Sequence, residues 1–492
     1  MSQNISIVWK NCTDSHIIAN RDVLMELYER FSFQVQGYRF MPAYLSGRWD
    51  GWLRLVSFDG VVKVGLIPDV IKFLKESGRN VKLSPEFKTF KIDIPFDINK
   101  LCLPFIPWKH QTDAIKIALE KKRQVILSPT SSGKSLVIYS IARATSSEKL
   151  KTLIIVPSIM LVTQLYGDFS DYSVNDVDWK VDDKIHCITG GVCKETEKSI
   201  TISTWQSIQY IKDFKWFKQW DVILVDECHG CKAKVLSTIM GNCTNAFYRI
   251  GLSGTLDGLQ STEMELTGIF GPVRRIVTTK ELMNSGQVSN VIIKAVILKH
   301  PLNVCKSVSS KEIPYKDEIM VIVKSQQRNT FICNLVKMTK GNTLVLVTAV
   351  KLHGEPLYKN IKNMCPDRLV YFIHGKVDAD IREDVRRLTE ENDGVIIIAS
   401  YAIFSTGVSI KRLHNVIFGS PTKSSIRVLQ SIGRILRLHD TKEVANVFDI
   451  VDDFRVNGEG SQNYALKHFM KRFEIYHKEN FNFSIHEKKL TL

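Results

Sequence analysis

The chain has 492 residues, 44% hydrophobic and 24% charged, enough for about three globular domains with sizeable cores. That balance excludes a disordered, collagen-like or small disulfide-stapled chain. Lys and Arg number 67 against 51 Asp and Glu, a net charge of +16, which points to a polyanionic partner, nucleic acid before an anionic membrane surface.

The longest apolar stretches, such as Thr343–Val350 and Val395–Ala399, fall far short of the roughly 18 residues of a membrane span. The first residues lack the pattern of a secretory leader, so no membrane partner is expected. The ten cysteines are then expected to be reduced thiols. Cys228 and Cys231 have metal-ligand spacing, but no second close pair follows, so no zinc site is expected.

In chain order, residues 1–100 read as a small α+β unit. Arg21–Arg30 is helix-competent. Gly51–Phe58 and Val61–Ile67 read as strands joined by an Asp59-Gly60 hairpin turn. Pro68 opens a helix with Val70, Phe73 and Leu74 on its apolar face, stopped at Gly78. Pro95, Pro104 and Pro107 mark a linker. Helical stretches then alternate with short unbroken apolar runs: Val125–Leu127, Leu153–Val156, Ile200–Ile202, Val222–Val225 and Arg249–Leu252. Strands buried on both faces read this way, so a parallel sheet covered by helices is expected. Residues 283–318 read as a looser segment. The alternation resumes at Thr343–Val347, Leu369–Phe372, Val395–Ala399, Val416–Phe418 and Ala445–Phe448, and residues 459–492 read as a docked helix and tail. The expected division is 1–100, 101–285, 286–458 and 459–492.

Ser128, Pro129, Thr130, Ser131, Ser132, Gly133, Lys134 and Ser135 join a strand to a helix in the layout of a phosphate loop. Successive backbone N–H groups at a helix N-terminus bind a triphosphate. Lys134 is expected to reach the β/γ-phosphates and Ser135 to hold Mg²⁺. Asp226 and Glu227 follow the buried run Val222–Val225. There Asp226 could share the Mg²⁺ and Glu227 could orient or deprotonate a water. Near the far end, Arg434 and Arg437 are spaced to share one helix face, where arginines could stabilise γ-phosphate charge. Lys411, Arg412, Lys423, Arg427, Arg434, Arg437 and Lys442 form a concentrated basic run.

These three features, in this order, resemble superfamily 2 helicases over residues 108–455. The resemblance implies a fold of tandem RecA-like domains, parallel sheets with helices on both faces, after the small α+β domain. It also implies ATP and Mg²⁺ as cofactors. Trp108-Lys109-His110-Gln111 is similar to the adenine-reading segment. Pro157 and Ser158 with Gln164, and Thr204 with Trp205, resemble strand-tracking motifs. His229, Ser253 and Thr255 resemble the coupling elements. His374, Gly375 with Arg382, and Thr406-Gly407 resemble nucleic-acid and nucleotide elements of the second domain. Gln430, Arg434 and Arg437 resemble the arginine-finger helix. Ser409 departs from the family pattern, where many relatives carry an acid.

A closer resemblance takes in the N-terminus. The segment Phe31–Phe40, then Gly47–Gly51 and Leu53–Leu55, is similar to the leading domain of the UvsW-type phage recombination and repair helicases. That likeness implies action on branched or forked DNA, including RNA–DNA hybrids, in the host cytoplasm. It implies a monomer on DNA and recombination or single-strand-binding proteins as candidate partners. Arg39, Arg48 and Trp49, among interleaved aromatic rings and guanidinium groups, are expected to face nucleic acid. Core packing of the rings is the competing reading. Two rival functions stay open: an RNA helicase or double-strand translocase that never separates strands, and a binding or annealing protein with a vestigial nucleotide site.

Overall fold

The computed structural model describes residues 5–88, 93–230, 233–309, 313–406, 410–422, 424–456 and 460–491. The chain divides into two compact units, the first Met1–Ser128 with Ser132–Val277 and the second Pro129–Ser131 with Thr278–Leu492.

The first unit opens with strands β1 (Ile5–Trp9), β2 (Asp14–Ile18), β3 (Ser32–Gln34), β4 (Trp52–Arg54), β5 (Val61–Lys63) and β6 (Val81–Leu83). Four of them form a sheet in the order β5-β2-β1-β6. Its core is closed by Val23 and Leu27 of the helix Arg21–Arg30 and by Val70 and Leu74 of the helix Ile67–Glu76. Asn20 accepts Val23 N at the start of the first helix, and Pro68 sits in the first turn of the second. The Asp59-Gly60 turn forms, with Gly60 at φ +85°, but the expected hairpin shrinks to one bridge, Val56 with Val62. The flanking strands pair elsewhere, β4 with β3 and β5 with β2.

This small subdomain is fastened to the first large sheet by two arginines. The fully buried Arg249 donates to Ala246 O, Met240 O, Cys243 O and Thr13 Oγ1. Arg123 donates to Cys12 O and Ile269 O. The turn between β1 and β2 is thus held by charge-assisted hydrogen bonds that exclude water. At Gly65 the two backbones touch: an added Cβ would lie 2.0 Å from Thr267 O, so only glycine fits.

The large sheet contains β7 (Arg123–Leu127), β8 (Thr152–Val156), β9 (Ile185–Ile188), β10 (Ile200–Thr204), β11 (Val222–Val225), β12 (Tyr248–Ser253) and β13 (Val273–Arg275). The order is β13-β7-β12-β11-β8-β10-β9, with every pairing parallel. Every residue of β8, β10 and β11 is buried, as the unbroken apolar runs require. The two strands that sequence reasoning passed over, β9 and β13, are the edges, where short, partly polar segments suffice.

The second unit holds β14 (Asn290–Lys299), β15 (Thr343–Val347), β16 (Val370–Ile373), β17 (Ile396–Ser400), β18 (Asn415–Phe418), β19 (Val444–Asp453) and β20 (Asn482–Lys489). They form a second all-parallel sheet, β16-β17-β15-β18-β19-β14-β20. Tandem RecA-like sheets after a small α+β region are therefore present. Two expectations need correcting. The supposedly loose 283–318 contains the ten-residue β14, and the C-terminal tail is itself the strand β20, paired with β14.

The helix Tyr464–Lys478 is held at two points. Arg472 Nε and Nη2 donate to the two oxygens of buried Asp449, and Tyr476 donates to the same carboxylate. At its start, Glu318 accepts Tyr464 N, Ala465 N and Asn463 Nδ2. Removing one member of a buried ion pair leaves an uncompensated charge. Arg472→Met should lower the stability of the second unit by about 3–5 kcal/mol, and Tyr476→Phe by about 1 kcal/mol, read as shifts of its urea transition.

Candidate active site

In a parallel sheet all strands end on the same edge, and ligands gather beyond it. Here β7, β12 and β11 are neighbours, so the phosphate loop after Leu127, Ser253 at the end of β12 and Asp226 just past β11 are neighbours too. The next two strands, β8 and β10, end at Pro157-Ser158 and Thr204. One edge therefore carries the phosphate loop with the paired acids and, beside them, two helix starts.

The phosphate loop is braced from upstream. Gln111 Nε2 donates to Ser132 O at 3.0 Å, His110 Nε2 lies 2.9 Å from the same oxygen, and Gln111 Oε1 accepts Trp108 N. Buried Ser128 and Ser132 join through their hydroxyls at 2.7 Å. Ser128, where the usual pattern has glycine, needs no left-handed backbone; Ser131 (φ +70°) and Gly133 (φ +81°) supply it. Lys134 Nζ donates to Ser128 O and lies 3.8 Å from Glu227 Oε1. Ser135 Oγ is 2.8 Å from Tyr172 OH. Pro129 and Thr130 complete the loop.

Asp226 and Glu227 sit side by side, and Asp226 Oδ1 accepts Glu227 N. Burial, then the charge of Glu227, pushes the Asp226 carboxyl up to about 7, with Lys134 pulling the other way. Glu227 has φ +47°, a left-handed backbone costing about 1 kcal/mol, and among the described residues its buried Oε2 accepts no well-formed hydrogen bond. Lys134 is the cation seen beside these two carboxylates among the described residues. Together with Ser135 they supply the hard oxygen donors that Mg²⁺ takes, so the residues present fit that ion.

Cys228 is core: its Sγ packs under Gly251, 3.0 Å from where a Cβ would lie. Cys231 lies outside the described residues. Ser253 Oγ donates to Thr255 O at 2.7 Å and lies 2.6 Å from His229 Nδ1. A serine has one proton, so His229 Nδ1 carries the other. Burial holds the His229 pKa below its usual value, favouring the neutral ring. His229 Nδ1 is also 3.4 Å from Glu227 Oε2, which links the carboxylate to Ser253 and Thr255.

In the second half, Ser158 caps the helix Ile159–Tyr172, and Gln206 Nε2 donates to Pro157 O. Gln164 is exposed on that helix. Thr204 is buried and spends its hydroxyl capping Ser207 N, and Trp205 is half-buried against the core. In the small subdomain Arg39 and Arg48 are exposed. Trp49 is half-buried and donates to Trp52 O, while Trp52 (40% exposed) and Phe40 (87%) face solvent. Sequence reading counts Phe40 and Trp52 among the interleaved rings without settling which face outward; both do, and more so than Trp49.

In the second unit His374 follows β16, with its Nδ1 accepting Lys376 N, and Gly375 is exposed. Thr406 ends the helix Tyr401–Thr406; its side chain, Gly407, Ser409 and Lys423 lie outside the described residues. Gln430 and Arg434 lie on the helix Ser425–Ile435, with Arg434 over the Phe404 ring at 5.6 Å. Arg437 does not share their helix face, because the helix stops at Ile435. Lys442 Nζ takes Ile435 O, and Ser289 takes Leu436 O and Arg437 O. The basic run is likewise not one solvated face: Lys442 is buried, its pKa pushed down to about 8 by desolvation.

The strand ends place the chain among superfamily 2 helicases. Its sequence matches the family descriptions "DNA helicase UvsW, N-terminal" over residues 4–84, "Type III restriction enzyme, res subunit" over 105–258 and "Helicase conserved C-terminal domain" over 327–439. It is 33% identical to the ATP-dependent DNA helicase uvsW of Enterobacteria phage T4, over 98% of each chain. The crystal structure of T4 UvsW aligns with 99% of this chain and 100% of its own, with a TM-score of 0.50 at 30% identity. The DNA 3'-5' translocase XPB2 of Sulfurisphaera tokodaii is 24% identical over 70% of this chain and 82% of its own. The chain belongs to the UvsW family of ATP-dependent DNA helicases.

A Cβ on Gly133 would lie 2.1 Å from Gln111 Nε2 on a left-handed backbone. Gly133→Ala should weaken nucleotide binding about tenfold or more, from strain plus one lost hydrogen bond. Titration with a fluorescent ATP analogue measures this, with circular dichroism confirming the fold.

Proposed function

We propose that the protein couples ATP hydrolysis to unwinding or branch migration of branched DNA, such as forks, recombination junctions and R-loops, in replication, recombination and repair. The observation that carries this reading is the full-length likeness to the phage T4 helicase, joined to a phosphate loop whose Lys134 lies beside the Asp226-Glu227 pair.

In this reading Gln111 and the backbone from Ser128 to Gly133 seat the nucleotide. Lys134 meets its β/γ-phosphates, and Ser135 and Asp226 hold Mg²⁺. Bound Mg²⁺ neutralises phosphate charge as it develops. Glu227 orients the attacking water and accepts its proton. His229, Ser253 and Thr255 relay the state of Glu227 into the sheet edge. Gln430, Arg434 and Arg437 stabilise γ-phosphate charge during the cycle, and Gly407 joins the nucleotide contacts.

The helix starts at Ser158 and Trp205 present backbone N–H groups to a DNA strand. Gln164, His374, Gly375 and Thr406 are further contacts. Arg39 and Arg48 bind phosphates, and Trp49 and its neighbouring rings stack on unpaired bases. Backbone contacts dominate, so binding is largely independent of sequence. The protein works as a monomer on DNA in the host cytoplasm, with recombination or single-strand-binding proteins as partners. No described helix is long and apolar enough to cross a membrane.

ATP-dependent unwinding of forked, four-way and RNA–DNA substrates tests the proposal. Lys134→Ala and Arg437→Ala should still bind DNA and lose unwinding by about a hundredfold or more. Lys134→Ala activity equal to the parent, or hydrolysis stimulated by RNA alone, would refute it. DNA affinity should fall steeply between 50 and 200 mM salt, by roughly 10³-fold or more if six or more phosphates are contacted.

A further inference from the structure

Ser135 lies in the first turn of the helix Lys134–Ser147, and its hydroxyl is 2.8 Å from that of Tyr172. A serine hydroxyl has one proton and two lone pairs. When a lone pair goes to a cation, the proton needs an acceptor, and a neighbouring phenol oxygen provides one. Groups that hold a ligand in this way fix its orientation and basicity.

Tyr172 is itself fixed. Its ring meets Tyr139 edge-on at 5.5 Å and Phe105 at 5.7 Å. Tyr139 stands one turn beyond Ser135 on the same helix and also packs on Phe169, at 5.1 Å. Ser135 and Tyr139 therefore face Tyr172 and Phe169 across one helix–helix contact.

Tyr172 is the last residue of the helix Ile159–Tyr172, whose other end is capped by Ser158. Fourteen helical residues make a rod of about 21 Å. One end faces the expected DNA strand and the other holds the serine of the phosphate loop. No sequence motif singled out Tyr172.

We propose that Tyr172 is a positioning residue for the Ser135 hydroxyl, and that the helix Ile159–Tyr172 links strand binding at Ser158 to the affinity of the site for metal-bound nucleotide. This rests on reading Ser135 as part of the nucleotide–metal site.

The test uses the full chain and a fluorescent ADP analogue, titrated in MgCl2 and in EDTA, with and without an oligothymidylate. Tyr172→Phe keeps the ring and removes the hydroxyl. In EDTA its affinity should match the parent's; in MgCl2 it should be weaker by about 3–10-fold, the worth of one hydrogen bond. The change in affinity on adding DNA should shrink towards none. Added to Ser135→Ala, the tyrosine change should cost nothing more.

Parental affinity in MgCl2, or equal losses in MgCl2 and EDTA, would overturn the positioning role. A parent protein whose nucleotide affinity ignores DNA, or a variant that keeps the full DNA effect, would overturn the link through the helix. If Lys134→Ala and Ser135→Ala both bind the analogue as the parent does, the nucleotide-site reading itself fails, whatever Tyr172 does.

Discussion

Asp226 and Glu227 are forced against each other at the end of a strand whose every residue is buried, and Lys134 offsets only part of their charge. A pair like this is costly unless a cation joins it. The strain at Glu227, the bracing of the phosphate loop by Gln111 and the hydrogen bonds among His229, Ser253 and Thr255 all surround that pair. They hold the carboxylates in place despite their repulsion, which is how a site stays ready for a charged ligand.

The same sheet edge gives the motor its economy of parts. Strand order alone brings the loop, the acids and Ser253 onto three adjacent strand ends, and two helix starts onto the next two. The small subdomain is no loose appendage to this edge. Arg249 and Arg123 tie its first turn into the sheet, and Gly65 brings backbone to backbone. Arg39, Arg48 and their neighbouring rings thus lie in the same compact unit as the sheet that carries the phosphate loop.

Much of this was legible because each signal was local. Unbroken apolar runs marked the central strands, and loop residues and paired acids marked the strand ends. What escaped depended on distant partners. The strand β14 alternates, with Val291, Ile293 and Ala295 inward, a period of two that was open to view. Its lysines obscured it: Lys294 lies over the Phe448 ring and Lys299 pairs with Glu487, both supplied by strands far along the chain. Arg437 left its expected helix for a similar reason, since the carbonyls around it are taken by Ser289 and Lys442. Tyr172 belongs to no motif, and only packing reveals it; among the interleaved N-terminal rings, only the fold shows that Phe40 and Trp52 face solvent.

The place of β20 bears on how the protein is made. Its partner β14 leaves the ribosome nearly two hundred residues earlier, so one flank of that strand lies bare until translation is almost complete. The nascent second unit must wait for its closing strand, whereas the first unit holds every strand of its own sheets by Arg275. Synthesis therefore delivers the sheets of the first unit complete while that of its successor is still open. Chaperones would meet the nascent chain at that open flank.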